Sequence, residues 1–395
     1  VVTIVVLLIL AGVSISLVLN NNGVISKAKD AKNQYAEAQT NDEKQLNEVS
    51  DWIDTKVGDT TGGDSVTKID GVPIPEGYYY VGGTKAKGLV ISDAEADNEK
   101  YKGQENVGKD LVGNQWVWVP VETPSSLYTT VDAGVKLSGS TGVKTTKYTN
   151  SAIISGKTRV LPGDTSDYRE PDIVIGKDGT SYDYAQYATA GFSSLANMAE
   201  TMVSDYDEMI RSIEKYKGFY IGRYELTVNG EKTGATLTNN LTNKNWYTLY
   251  KNCTTLASGT KVKTRMIWGL QWDATCNWLA GSGYSITDSS NWGNYSNYNT
   301  SNNYETTDVK YEAGAGSKQE TGSSENWKAN NIYDFAGNCD EWTQEAIYAD
   351  DRVTRGGSYS TGSGKSASYR LSTVSPTYVS TFSSIGTRPT LYLIQ

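Results

Sequence analysis

The nineteen residues from Val1 to Leu19 carry no charge, and only Thr3, Ser14 and Ser16 among them are polar. At 1.5 Å per residue this run makes a helical rod of roughly 28 Å, enough to cross a hydrocarbon core. Exposed to water it would be untenable, so it needs lipid or a sheath of identical helices around it. No basic segment precedes it and no small-residue cleavage site follows, which sets it apart from a secretory signal peptide. Two readings remain at this level, a one-pass membrane anchor or the buried core of an assembly built from many copies.

A chain of 395 residues is long enough for two or three domains. A net charge of −9 gives nucleic acid or an anionic membrane surface nothing to hold. Histidine is absent, which removes Ser-His-Asp catalysis and any His-based zinc site. The aromatic complement is 28 Tyr and 10 Trp against 4 Phe, so it suits amphipathic contact surfaces as well as a core. Cys253, Cys276 and Cys339 form no CxxC pair; a Cys253–Cys276 disulfide and free buried thiols are both compatible with the spacing.

Asn20-Asn21-Asn22-Gly23 interrupts the apolar run with poor helix formers. Periodicity then resumes at Val24, Ala28, Ala31, Tyr35 and Ala38 and continues through Leu46, Val49 and Ile53, predicting a second helix to about Lys56. Residues 58–65 read as a linker, and from Val66 to Gln395 the texture changes to short strand-like runs. Gln115 to Val121 reads as a core strand, and the Ser/Thr/Gly-rich stretch 124–182 as a surface insertion. Leu195, Met198, Met202, Tyr206, Met209, Ile210 and Ile213 share a helix face, with Gly218 where a C-terminal cap belongs. A second short helix is expected over Gln271–Leu279.

The stretch VVTIVVLLILAGVSISLVLNNNGVISKAKDAK resembles the N-terminal segment of type IV pilins in their Gram-positive form. The resemblance implies that residues 1–57 are a pilin-type helix, apolar over 1–19 and broken near 20–23. Filament assembly would then bury Val1, Val2, Ile4, Val5, Leu7, Leu8, Ile9, Leu10, Val13, Ile15, Leu17 and Val18 against identical subunits, after passage through the membrane. Pilins carry a glutamate near the mature start that neutralises a neighbour's amino terminus. The quoted stretch has none, so that register device is not carried over.

The motifs GFYIGRYE (218–225), NNIYDFAGNCDEWTQE (330–345), RVTRGGSY (352–359), Arg370 and IGTRPTLYL (385–393) occur together. In that order they resemble the formylglycine-generating (sulfatase-modifying) branch of the C-type lectin fold. The implied fold class is α+β, a long pilin-type helix followed by a lectin-like domain with short strands and two main helices. The family's oxidase uses two cysteines between the RGGS turn and the next arginine, and SYSTGSGKSASYR (358–370) has none. Without thiolates there is no copper site, so no catalytic residue is assigned. Asn338 and Glu341 match calcium ligands of that branch, and hard oxygen donors suit Ca²⁺. The alternative is that Asn338 caps a turn while Glu341 pairs with an arginine such as Arg355. Arg355, Arg370 and Arg388 are expected to tie loops together from buried positions.

In retroelement-diversified members of the lectin fold the variable residues occupy the stretch matching 360–384, here STGSGKSASYRLSTVSPTYVSTFSS. The resemblance implies ligand contacts from Ser360, Thr361, Tyr369, Leu371, Thr373, Val374, Tyr378, Val379, Thr381, Phe382 and Ser383. A mixture of tyrosine anchors and adaptable hydroxyls is the chemistry of a paratope. The expected protein is therefore a subunit of a cell-surface filament that displays a recognition domain for an unknown protein or glycan. The rivals are a monomeric membrane-anchored binder, a filament that binds nothing, and, against the missing cysteines, an oxidase.

Overall fold

A computed structural model describes residues 66–124, 128–135, 143–150, 186–227, 240–257, 261–296, 316–346, 352–362, 365–374 and 384–394. The expected pilin-type helix, its break and the 58–65 linker lie outside those residues, as do Val1 to Val18. Val66–Gln395 forms one compact unit. Its architecture is mixed α+β, mostly sheet with few helices.

Two hairpins show how local sequence sets local form. β1 (Thr67–Ile69) and β2 (Val72–Ile74) are joined by Asp70-Gly71, both at positive φ, the backbone that a two-residue hairpin turn demands. Asn330-Asn331 does the same between β10 (Lys328–Ala329) and β11 (Ile332–Tyr333), inside the quoted NNIYDF motif. Asn331 then uses its side chain as a spacer: Nδ2 donates to the Gly88 and Glu105 carbonyls at 2.9 and 2.8 Å, and Oδ1 accepts from Val107 N at 3.0 Å.

The larger sheet runs β3 (Tyr79–Gly82), β4 (Val90–Ser92), β5 (Gln115–Pro120), β8 (Gly218–Gly222), β16 (Pro389–Leu393) and β9 (Val262–Met266), in that spatial order. All neighbours are antiparallel. The continuous apolar reading of Trp116 to Val119 is explained by position, since each of these side chains is buried on a strand covered on both faces. α1 (Leu195–Tyr216) packs on β8 and β16, α2 (Trp246–Cys253) on β9, and α3 (Gly269–Gly281) against β5 and β12 (Asp340–Ala346). The predicted stripe of α1 is the buried one, from Met198 to Ile213. Its cap falls one residue earlier than expected: Lys217 takes the left-handed conformation (φ 60) and Gly218 opens β8. Gly218 is needed for another reason, because a β-carbon there would enter the Trp118 ring. α2 is a helix beyond the two main ones expected. Within 124–182 the described part is a hairpin of β6 (Tyr128–Val135) and β7 (Val143–Asn150).

A second sheet has the order β14 (Arg370–Val374), β13 (Arg352–Arg355), β12 and β15 (Ile385–Thr387). β12 pairs antiparallel with β13 and parallel with β15. The quoted C-terminal motifs thus assemble into this sheet, and β16 carries the chain onward into the larger one.

Candidate functional site

Four buried charged side chains from four elements meet at the base of β14. Asp273 comes from α3, Glu345 from β12, Arg355 from β13 and Arg370 from β14 itself, and all are at most 1% exposed. Arg355 reaches Asp273 Oδ1 at 2.6 Å and Glu345 Oε1 at 2.9 Å; Arg370 pairs with Asp273 and approaches Glu345 Oε1 at 3.3 Å. Two cations face two anions, so the cluster is neutral and each fork satisfies two carboxylates. Arg355 Nε also donates to the Tyr369 carbonyl at 3.0 Å, fixing the backbone just ahead of β14. Trp272 stacks on Phe335 at 4.1 Å and donates from its indole to the Ala367 carbonyl at 2.8 Å. The expectation of loop-tying buried arginines holds for Arg355 and Arg370.

The RGGS turn is shaped by Gly356 and Gly357, both at positive φ (84° and 69°). A β-carbon on Gly357 would strike the Lys365 carbonyl, so the loop that starts at Ser358 folds back tightly. Of the predicted contact residues, Ser360 is exposed, while Thr361, Tyr369 and Leu371 are half-buried. Thr361 braces the loop: its hydroxyl accepts from Ser358 N at 3.0 Å and its carbonyl accepts from Ser296 N at 2.9 Å. The Lys365 ammonium lies 5.8 Å from the centre of the Tyr369 ring. Thr373 and Val374 continue β14. Tyr378, Val379, Thr381, Phe382 and Ser383 lie outside the described residues.

Asn338 and Glu341 sit in a second buried cluster. Glu341 pairs with Arg388, at 2.7 Å from Nη2, in place of the Arg355 named from sequence; Arg355 is taken by Asp273 and Glu345. Arg388 also donates to the Gly222 and Tyr333 carbonyls at 3.0 and 2.8 Å, stitching the two sheets. Asn338 stands at φ 59. Its Oδ1 accepts from Gln319 N at 3.0 Å and from Asn294 Nδ2 at 3.2 Å, and its Nδ2 donates to Glu225 Oε2 at 2.8 Å. A Ca²⁺ shell needs six to eight oxygens free to turn inward. Here the Asn338 oxygen and both Glu341 oxygens already accept from the protein's own N–H groups, so the donor set as arranged does not fit calcium.

Burial raises the pKa values of the carboxyl groups in this second cluster. Glu225 is pushed well up by burial, helped by the neighbouring Asp334 and Glu341. Glu341 is pushed to about 7 by burial against the pull of Arg388, and Asp334 to about 6 for the same reason. Glu225, Asp273 and Glu345 were not singled out from sequence. Glu225 and Glu345 close the quoted motifs GFYIGRYE and NNIYDFAGNCDEWTQE, whereas Asp273 carries no signal beyond lying among apolar helix positions. All three cysteines are free and buried, so the Cys253–Cys276 pairing is not formed. Burial lifts their thiols, that of Cys276 to about 12.

No family model matches the chain and no curated protein matches it. Among solved structures it is similar to Treponema denticola variable protein 1, at 14% identity and a TM-score of 0.23, over 70% of this chain and 95% of that one. A likeness this distant carries no argument about fold or function.

Proposed function

We propose that the chain is a subunit of an extracellular, type IV pilus-like filament whose C-terminal, lectin-like domain presents a binding surface for a protein or glycan ligand. It binds rather than catalyses, in line with a 358–370 segment that has no cysteine. The observation that supports recognition is the division at β14. Arg370 and the backbone ahead of it are locked into a neutral buried ion cluster, while Ser360, Thr361, Tyr369 and Leu371 keep surface access beside it. A contact surface on a rigid base loses little entropy on binding. Assembly through Val1–Leu19 would repeat that surface many times, turning weak single contacts into firm attachment.

The test is electron microscopy of material sheared from cells, followed by attachment assays on a Tyr369→Ala/Tyr378→Ala/Phe382→Ala variant. Filaments should persist in the variant and attachment should fall. Discrete monomers in mild detergent, with no filaments, would instead mark a membrane-anchored binder. Filaments whose attachment is unchanged in the variant would mark a purely structural fibre.

A further inference from the structure

Asp340 opens β12 and interacts with Ser358 and Lys365 of the loop that also carries Ser360 and Thr361. Its side chain is 5% exposed, and Oδ1 has no hydrogen-bond partner among the described residues. Its backbone N–H donates to the Ser384 carbonyl at 2.8 Å, which places it at the root of the far end of the 360–384 segment as well. Ser358 lends its hydroxyl to the carboxylate, and Lys365 is the charged group facing it, from the same loop. Ser358 Oγ lies 3.2 Å from Ser360 Oγ, and Ser360 is exposed. A line of oxygens therefore runs from solvent at Ser360, through Ser358, to the buried Asp340 carboxylate, whose Oδ1 no donor among the described residues uses.

An unused buried carboxylate oxygen is costly to keep, and the other carboxylates of this sheet, Glu341 and Glu345, are by contrast each held by an arginine. We propose that Asp340, Ser358 and Ser360 form a subsite for a basic side chain, lysine or arginine, of a protein ligand. This rests on the recognition reading above and names the ligand's chemistry. A charged donor is the fit for the site because hydrogen bonds to an ionised carboxylate are about twice as strong as neutral ones. A metal ion is a poor fit, as one carboxylate and two hydroxyls are too few oxygens for calcium. A ligand ammonium enters at Ser360, displaces the serine hydroxyls from one another and ends on Asp340 Oδ1.

The probe is N-acetyl-lysine amide, titrated against the full chain by calorimetry at pH 7.5, with N-acetyl-norleucine amide as the uncharged control. The native protein should bind the lysine derivative at least tenfold more tightly than the control. Asp340→Asn should abolish that difference and Ser360→Ala should narrow it several-fold. Equal binding of the two probes, or lysine binding that survives Asp340→Asn, would overturn the proposal. So would preferential binding of a neutral methyl glycoside that depends on Asp340. Should Asp340→Asn not fold, Ser358→Ala supplies the second reading and should narrow the preference several-fold; an unchanged preference in it would overturn the proposal. Failure here, with attachment still lost in the tyrosine and phenylalanine variant, would sink the subsite and leave the recognition reading intact.

Discussion

Replacing Arg370 with methionine isolates what the ion cluster under β14 contributes. The native cluster is neutral, with Arg355 and Arg370 facing Asp273 and Glu345 at full burial. Arg370→Met leaves two buried carboxylates facing one guanidinium, and stranding a charge in this way costs about 3–5 kcal/mol. For a unit of about 330 residues, unfolding entropy of roughly 2 cal/mol/K per residue makes each kcal/mol worth a little under 1.5 °C, so Tm should fall by about 4–7 °C. The assay is thermal unfolding of the full chain in mild detergent, followed by circular dichroism. Adding Asp273→Asn removes the stranded charge while Arg355 keeps Glu345, so the double variant should be more stable than the single one. A single-variant shift below about 1 °C, or a double variant that loses the sum of both singles, would refute the reasoning.

Gly269→Ala should destabilise by about 2 kcal/mol or more in urea unfolding, because a β-carbon there meets the Glu345 carboxylate, which Arg355 and Arg370 hold in place. Asp340 is raised from 3.8 to about 6 by burial, so the folded form binds the extra proton between those values and stability falls as pH rises through about 6. Between pH 5 and pH 8 the loss from this one group is about 1–2 kcal/mol, and urea midpoints should show it shrinking by that amount in Asp340→Asn. Glu341, raised to about 7, and Asp334, raised to about 6, add in the same direction. Cys253, Cys276 and Cys339 should all resist Ellman's reagent at pH 8 in the native protein and react together on unfolding; any thiol labelled without urea would contradict their burial.

The parts of the fold that rest on periodicity were legible before any coordinates. The α1 stripe and the Gln115–Val121 strand needed only spacing and apolarity, and α3 appears where Trp272, Cys276 and Leu279 align. α2 was missed although Asn245 caps it through a 2.9 Å bond to Thr248 N. Its apolar residues are aromatic, and tyrosine-rich runs in this chain suggest strand and loop as readily as helix. The quoted motifs contain residues that the structure buries together, but the pairings among them are not legible in the sequence. Arg355 is named from sequence as one example of an arginine partner for Glu341, and the two are register partners across β12 and β13 without forming an ion pair. Register sets which backbones lie side by side, but the partner a buried charge takes is set by every element packed around it. So Glu341 meets Arg388 from the C-terminal motif, and Arg355 meets Asp273 from a helix some eighty residues away. No local pattern encodes that choice.

The first buried cluster holds β14 from one face and leaves the other free of it. Arg370 faces the ion cluster, and its neighbour Leu371 is half-buried and reaches the surface. Successive strand residues point to opposite faces, so a change at Leu371 leaves the Arg370 forks untouched. The same holds one residue earlier, where Arg355 binds the Tyr369 carbonyl and not its side chain. Any residue at 369 supplies that carbonyl, so the anchor does not depend on tyrosine. A surface held by backbone atoms and by side chains on its reverse face can change its outward residues at little cost in folding energy. Asp340 is the exception, being both outward in its use and buried in its cost. It should therefore be the position at which binding and stability trade directly, with Asp340→Asn gaining folding free energy at pH 8 as it loses affinity for a basic side chain.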